Sequence, residues 1–479
     1  VKMLEDKTVK TVFLKGLLAS SGPMFFSALA DRHADTIMFV LQDADEAGYF
    51  YHDLTQLMGT QQVLFYPSSY RRAVKYGQRD AGSEILRTEV LSRLAQRGGN
   101  NGYDEKGNRK IGNEEARSKA ENAKAGSSKA SKALYIVTCP EALSELVVSK
   151  QRLDERTLSL AVSQTVDIVE TEKTLREFGF EQVDYVYEPG QFAVRGSILD
   201  VYSFSSELPF RIDFFGDEID TIRTFNVEDQ LSKDKKDAVE IVPELDKMTE
   251  EKMPLTSFLP ADTIVAVKDL AYVADTIARI YDEGFAQQAV AERLEGATEE
   301  EQKEIMRSLS RDTQLVSGTR FKEGIAAFRR IDMGHKPLGT PQATITFEIT
   351  PQPLFHKNFE LLTRSLADYV LMGYKIYILA DSEKQTRRLR DIFDSDEVKT
   401  KGEDLPFTPV DHTLHEGFAD NTIRACFFTD HQIFDRFHKY SLKSDTARAG
   451  KMALTMKELQ EMDPGDFIVH VDFGIGKFG

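Results

Sequence analysis

Apolar residues along this chain keep two rhythms. In residues 10–96 they form short continuous runs separated by helix-prone stretches. Asp35-Thr-Ile-Met-Phe-Val-Leu41 and Val63-Leu-Phe-Tyr66 are runs of the kind buried on both faces of a parallel sheet. Asp45–Met58 and Glu84–Gln96 are the helices expected to cover them. The same rhythm returns at Ala133–Thr138, with a helix expected over Glu141–Val148, and at Asp262–Val267, ahead of a helix-rich acidic stretch over 269–310. A strand over Ala343–Ile349 ends in the Pro-bracketed turn Thr350-Pro-Gln-Pro353. Helix Phe359–Met372, strand Lys375–Ala380, helix Ser382–Phe393, strands Pro406–Val410 and Arg424–Thr429 and helix His431–Tyr440 then predict a small parallel sheet covered by helices.

The second rhythm begins after a helical lead-in over 151–180. From Val183 to about residue 242 short strands are punctuated by Pro-Gly, Arg-Gly and Gly-Asp turn signals, and Val239-Glu-Ile-Val-Pro243 closes the block. Along Phe210–Phe215 the period of two puts Ile212 and Phe214 on one face and Arg211, Asp213 and Phe215 on the other. If the first face is core, the second shows water an Arg and a Phe, residue types that protein–protein hot spots favour. The plainer alternative pairs Arg211 with a cross-strand carboxylate such as Asp220 and leaves Phe215 capping the hairpin at Gly216-Asp217.

Length and charge narrow the function. A chain of 479 residues exceeds one hydrophobic core, and roughly three to four domains are expected. A net charge of −17 argues against wrapping DNA as the main task, because phosphate binding needs a clustered basic surface. It fits a protein whose partners are proteins. No apolar run reaches bilayer-spanning length, so no membrane role is expected. Cys139 and Cys426 lie far apart in apolar strand-like runs, which suits a reducing cytoplasm rather than a disulfide framework or a cysteine metal site. From Gly98 to Lys132 the text is Gly, Asn, Ser, Ala and mixed charge, the composition of a mobile insert.

The text Tyr187-Glu-Pro-Gly-Gln-Phe-Ala-Val-Arg-Gly-Ser-Ile-Leu-Asp200, with Glu207-Leu-Pro-Phe-Arg-Ile-Asp-Phe-Phe-Gly-Asp-Glu-Ile-Asp220, resembles the UvrB-homology module of the bacterial transcription-repair coupling factors. The excision-repair protein UvrB shares much of this block. The end of the chain, Gly465-Asp-Phe-Ile-Val-His-Val-Asp-Phe-Gly-Ile-Gly-Lys-Phe478, is similar to the opening of the domain with which coupling factors bind RNA polymerase, and UvrB has nothing like it. The resemblance implies an α/β multidomain fold. A degenerate RecA/helicase-like parallel α/β domain would take 1–150 and 239–355, with an inserted strand-rich α+β domain at 151–238. A small α/β domain at 356–440 and a linker at 441–462 would follow, then the truncated start of the polymerase-interaction domain at 463–479, near Asp463. The family's ATP-hydrolysing, DNA-translocating motor, with its ATP and magnesium, is expected downstream of Gly479.

In the family, the positions matching Arg195, Arg211 and Phe215 contact UvrA, the damage-recognition ATPase of nucleotide excision repair. The resemblance therefore implies an adaptor that recruits UvrA to RNA polymerase stalled at a lesion. A UvrB-type nucleotide-dependent repair protein is the alternative, and the loop Gly16-Leu-Leu-Ala-Ser-Ser-Gly-Pro23 bears on it. Set against G-x-x-x-x-G-K-[ST], Ser21 stands at the second Gly, Gly22 at the Lys and Pro23 at the hydroxyl. Neither charge nor hydroxyl remains and the proline deletes an N–H donor, so no cofactor is expected here. Glu188 and Asp213 could be a carboxylate pair, but no nucleophile accompanies them. His412, His415 and Glu416 spell H-x-x-H-E, in neither zinc-hydrolase order and in a loop-like segment. His470 and Asp472 alternate with Val469, Val471 and Phe473 on a strand, and 293–304 suits a solvated helix face.

Overall fold

A computed structural model describes residues 6, 8–32, 35–69, 81–98, 133–245, 252–284, 314–394, 407–436, 440, 442, 467–470 and 474–477. The insert at 98–132 apart from Gly98, the acidic run 293–304, and the linker 441–462 apart from Leu442 lie outside them. The chain divides into two compact units, Val1–Arg152 with Asp246–Leu442, and Leu153–Leu245 with Lys443–Gly479.

In the first unit the continuous apolar runs become a seven-stranded sheet with order 343–346, 11–15, 329–334, 264–268, 36–40, 134–138, 63–66. Every pairing in it is parallel. Thr36–Val40, Val63–Tyr66 and Leu134–Thr138 are buried at every residue, so both faces of the sheet are covered. Helix Ala44–Met58 starts where Asp43 accepts the backbone N–H of Glu46, and helix Leu270–Glu283 where Asp269 accepts that of Tyr272.

A smaller sheet in the same unit orders its strands 349–351, 418–420, 425–429, 375–379, 408–410. The sequence predicted it all parallel. Strand 375–379 does pair in parallel with both 408–410 and Ala425–Thr429, but Phe418–Asp420 runs antiparallel to its two neighbours, Ile349–Pro351 and Ala425–Thr429. The Ala343–Ile349 run is in fact two strands: Ala343–Thr346 edges the large sheet and Ile349–Pro351 the small one. One apolar run cannot announce that it changes sheets midway. Two predicted helices are also shorter. Glu141–Val148 is a four-residue helix, Pro140–Leu143, then a strand, Leu146–Val148; His431–Tyr440 is replaced by helix Asp430–Ile433.

The second unit holds a six-stranded sheet in the order 232–236, 218–225, 210–215, 198–201, 191–195, 181–182. Its inward face joins Phe192, Leu199, Val201, Ile212, Phe214, Ile219 and Ile222 to Leu175 of helix Ile168–Glu177 and Leu160 of strand Leu158–Ala161. The expected helical lead-in over 151–180 is thus helix, strand and helix (Lys150–Glu155, Leu158–Ala161, Ile168–Glu177). At the chain's end Phe467–His470 and Gly474–Lys477 pair antiparallel.

Candidate partner-docking site

The polar face of the six-stranded sheet follows directly from the alternation in Phe210–Phe215. Phe210, Ile212 and Phe214 are buried, while Arg211 and Asp213 are part-exposed on the other side. Between Asp213 and Phe214 the pairing with Glu218–Phe225 shifts register, a bulge that increases local twist next to the turn. Phe215 then faces Glu218 across Gly216-Asp217, with Gly216 at φ +65°, the left-handed conformation such a turn needs. Phe215 leaves 83% of its surface in water.

The tip that presents Phe215 is braced by residues 163–166, which are turn and bridge rather than the helix expected over 151–180. The N–H of Val166 donates to the carbonyl of Asp217 at 2.7 Å, and that of Ser163 to Ile219 at 2.8 Å. Ile219 returns a bond to the carbonyl of Gln164 at 2.9 Å. No side-chain motif signals these bonds, since they are made by main-chain atoms.

Arg211 does pair with a cross-strand carboxylate, but the partner is Asp200 rather than Asp220. Its Nε and one terminal nitrogen grip the two oxygens of Asp200 at 2.8 and 2.9 Å, and the other terminal nitrogen donates to the Gln230 carbonyl at 3.0 Å. The guanidinium lies 4.4 Å from the centre of the Phe225 ring. Its pKa is raised, first by the Asp200 hydrogen bonds and against the cost of burial. Arg195, at the end of strand Gln191–Arg195, binds the same Asp200 carboxylate, donates to the Asp184 carbonyl at 2.8 Å, and stacks 4.8 Å from the ring centre of Tyr185. Arg195 and Arg211 are thus brought together by one carboxylate, while Phe215 stands free at the strand's end. Asp213 is taken up by Arg223 and by the hydroxyl of Thr221 at 2.9 Å, so the carboxylate pair with Glu188 is replaced by an ion pair.

The loop at 16–23 sits between strand Thr11–Lys15 and helix Ser21–Ala30, a strand-to-helix connection. Gly16, at φ +90°, passes so close to the Phe347 carbonyl that an added Cβ would lie 2.3 Å from it. The first turn of the helix contains Ser21, Gly22 and Pro23, all buried. The N–H of Ser20 donates to the Glu416 carbonyl at 3.2 Å, and the Ser20 hydroxyl accepts the N–H of Glu416 at 2.9 Å. Next to it Asp53, 2% exposed, accepts the N–H of His415 at 2.7 Å. Burial raises the Asp53 carboxyl to about 7 against the hydrogen bonds from Ser20 and His415. The His415 ring stacks on Tyr49, its centroid 3.5 Å away, so this loop serves packing between helix Ala44–Met58 and the smaller sheet. Among the described residues no group of three or more His, Cys, Asp or Glu could hold a metal ion, and no helix is long and apolar enough to cross a membrane.

Residues 158–246 match the UvrB interaction domain family. The chain is 21% identical to the transcription-repair-coupling factor of Bacillus subtilis (strain 168), over 98% of this chain and 42% of that protein. It is 22% identical to the Staphylococcus aureus (strain bovine RF122 / ET3-1) protein of the same name, over 72% of this chain and 34% of the relative. A third, from Staphylococcus haemolyticus (strain JCSC1435), is 21% identical over 67% of this chain and 32% of its own length. The chain therefore spans less than half the length of these relatives. The chain is thus similar, along nearly all its length, to part of the transcription-repair-coupling factors, and its residues 158–246 match the UvrB interaction domain family.

Proposed function

We propose that this chain is the recruitment arm of a transcription-repair coupling factor, docking UvrA through Arg195, Arg211 and Phe215 and so bringing nucleotide excision repair to RNA polymerase stalled at a lesion. The observation that carries the reading is Phe215. A phenylalanine held in water on a braced hairpin, on the same strand as the fixed Arg211 and inside the stretch that matches the UvrB interaction domain, has the chemistry of an interface anchor. The degenerate RecA/helicase-like ancestry of the parallel domain, cytoplasmic location and the polymerase contact near Asp463 belong to the same proposal. ATP-driven translocation on DNA is assigned to the whole protein, through sequence its relatives carry outside the matched region.

For a UvrB-type nucleotide-dependent protein, the loop at 16–23 is the place to look. The Glu416 carbonyl bonded to Ser20 supports a packing role for it, since the N–H there already serves a protein acceptor. This chain is expected to show no ATP turnover of its own. The function is tested by pull-down with purified UvrA: the chain retains UvrA, and Phe215→Ala releases most of it. Retention by Phe215→Ala equal to wild type would sink the site assignment.

A further inference from the structure

One buried carboxylate serves both arginines of the docking face. Asp200 lies on strand Ile198–Val201 with its side chain fully buried, and its oxygens receive Nε and a terminal nitrogen of Arg211 together with a terminal nitrogen of Arg195. Each guanidinium spends a further N–H on a main-chain carbonyl, of Gln230 for Arg211 and Asp184 for Arg195. Each also lies against an aromatic ring, Phe225 for Arg211 and Tyr185 for Arg195. A long arginine side chain normally loses rotamer freedom on binding. Here that freedom is already lost before a partner arrives.

The arrangement also leaves an imbalance. Two guanidiniums share one carboxylate, so the trio carries one positive charge. Of the five N–H groups on each head, Arg211 uses three and Arg195 two in these bonds, and the side chains stay 15% and 34% exposed. Such a pair keeps donors that fit a second carboxylate. Tyr185 is itself more than half exposed, so its ring supports Arg195 without belonging to the core.

We propose that Asp200 and Tyr185 are positioning residues of the docking face, Asp200 clamping Arg195 and Arg211 and Tyr185 backing Arg195, so that the pair presents one unmatched positive charge to a carboxylate on the partner. This rests on the docking reading above. Calorimetric titration of purified UvrA into the full chain, at several salt concentrations and with thermal melts alongside, separates the two. Tyr185→Ala is expected to melt as wild type does and to weaken binding three- to tenfold, and Tyr185→Phe to recover most of that loss. Asp200→Asn is expected to weaken binding tenfold or more. Adding Arg211→Ala to it should cost less than Arg211→Ala costs alone, because the clamp is already open. Tyr185→Ala should also flatten the salt dependence of binding, because Arg195 no longer holds its charge toward the partner. Should Asp200→Asn fail to fold, Tyr185→Ala and its Phe rescue decide the matter. If Phe215→Ala weakens binding while Tyr185→Ala leaves affinity and salt dependence untouched, the positioning role is wrong and the docking reading stands. If wild type binds no UvrA, both are wrong.

Discussion

Phe215 and Ile212 lie three positions apart on one strand and do opposite work. Ile212 is fully buried, and Ile212→Ala removes apolar contacts and leaves a cavity, for an expected loss of about 2–5 kcal/mol in urea unfolding. Phe215→Ala should leave the unfolding midpoint where it is, because its ring is already in water, yet weaken UvrA binding by at least ~1 kcal/mol. Arg211→Ala is a less clean probe than the sequence suggests. It strips two hydrogen bonds from a fully buried carboxylate, so its effect on binding mixes a lost contact with a loosened sheet. The sequence legibly placed Arg211 and Phe215 outside the core, since period two needs only the pattern of one strand. It could not identify Asp200 as the partner, because that choice depends on which strand lies alongside. Asp200 is directly opposite Arg211 in the 198–201 strand, whereas Asp220 is on the other neighbour, whose register sets Arg223 against Arg211.

Among the elements, the fully apolar strands of the parallel sheet were legible because burial on both faces leaves no polar position to confuse the pattern. Short and split elements were not. Phe418–Asp420 is three residues long, and the Ala343–Ile349 run divides between sheets where Phe347 donates to the Lys15 carbonyl at 2.8 Å. That crossing explains a requirement for Gly16. Gly16→Ala would combine a positive φ with a Cβ driven against the Phe347 carbonyl, and it should lower the unfolding midpoint. An unchanged melt would show that the strand-to-helix loop can move away. The departure of residues 16–23 from a phosphate-loop pattern is a matter of sequence alone, whereas the bond from this loop to Glu416 comes from a segment almost four hundred residues distant in the chain.

At the scale of the whole molecule, one buried carboxylate ties stability to pH. The folded-state pKa of Asp53, about 7, lies above the ordinary aspartate value, so the folded state binds its proton more tightly than the unfolded chain. The stability from that proton is complete below the unfolded pKa and is lost as pH rises through 7. Between pH 6 and pH 8 wild type should lose about 1.4 kcal/mol in urea unfolding that Asp53→Asn does not lose. Equal losses in both proteins would remove Asp53 from the account. The central claim concerns partners, and the most direct measurement is the dissociation constant of the chain for purified UvrA, wild type against Phe215→Ala. The account predicts saturable binding by wild type, weakened about fivefold or more by the substitution with no change in melting. Absence of binding, or equal affinity in the two proteins, would contradict it.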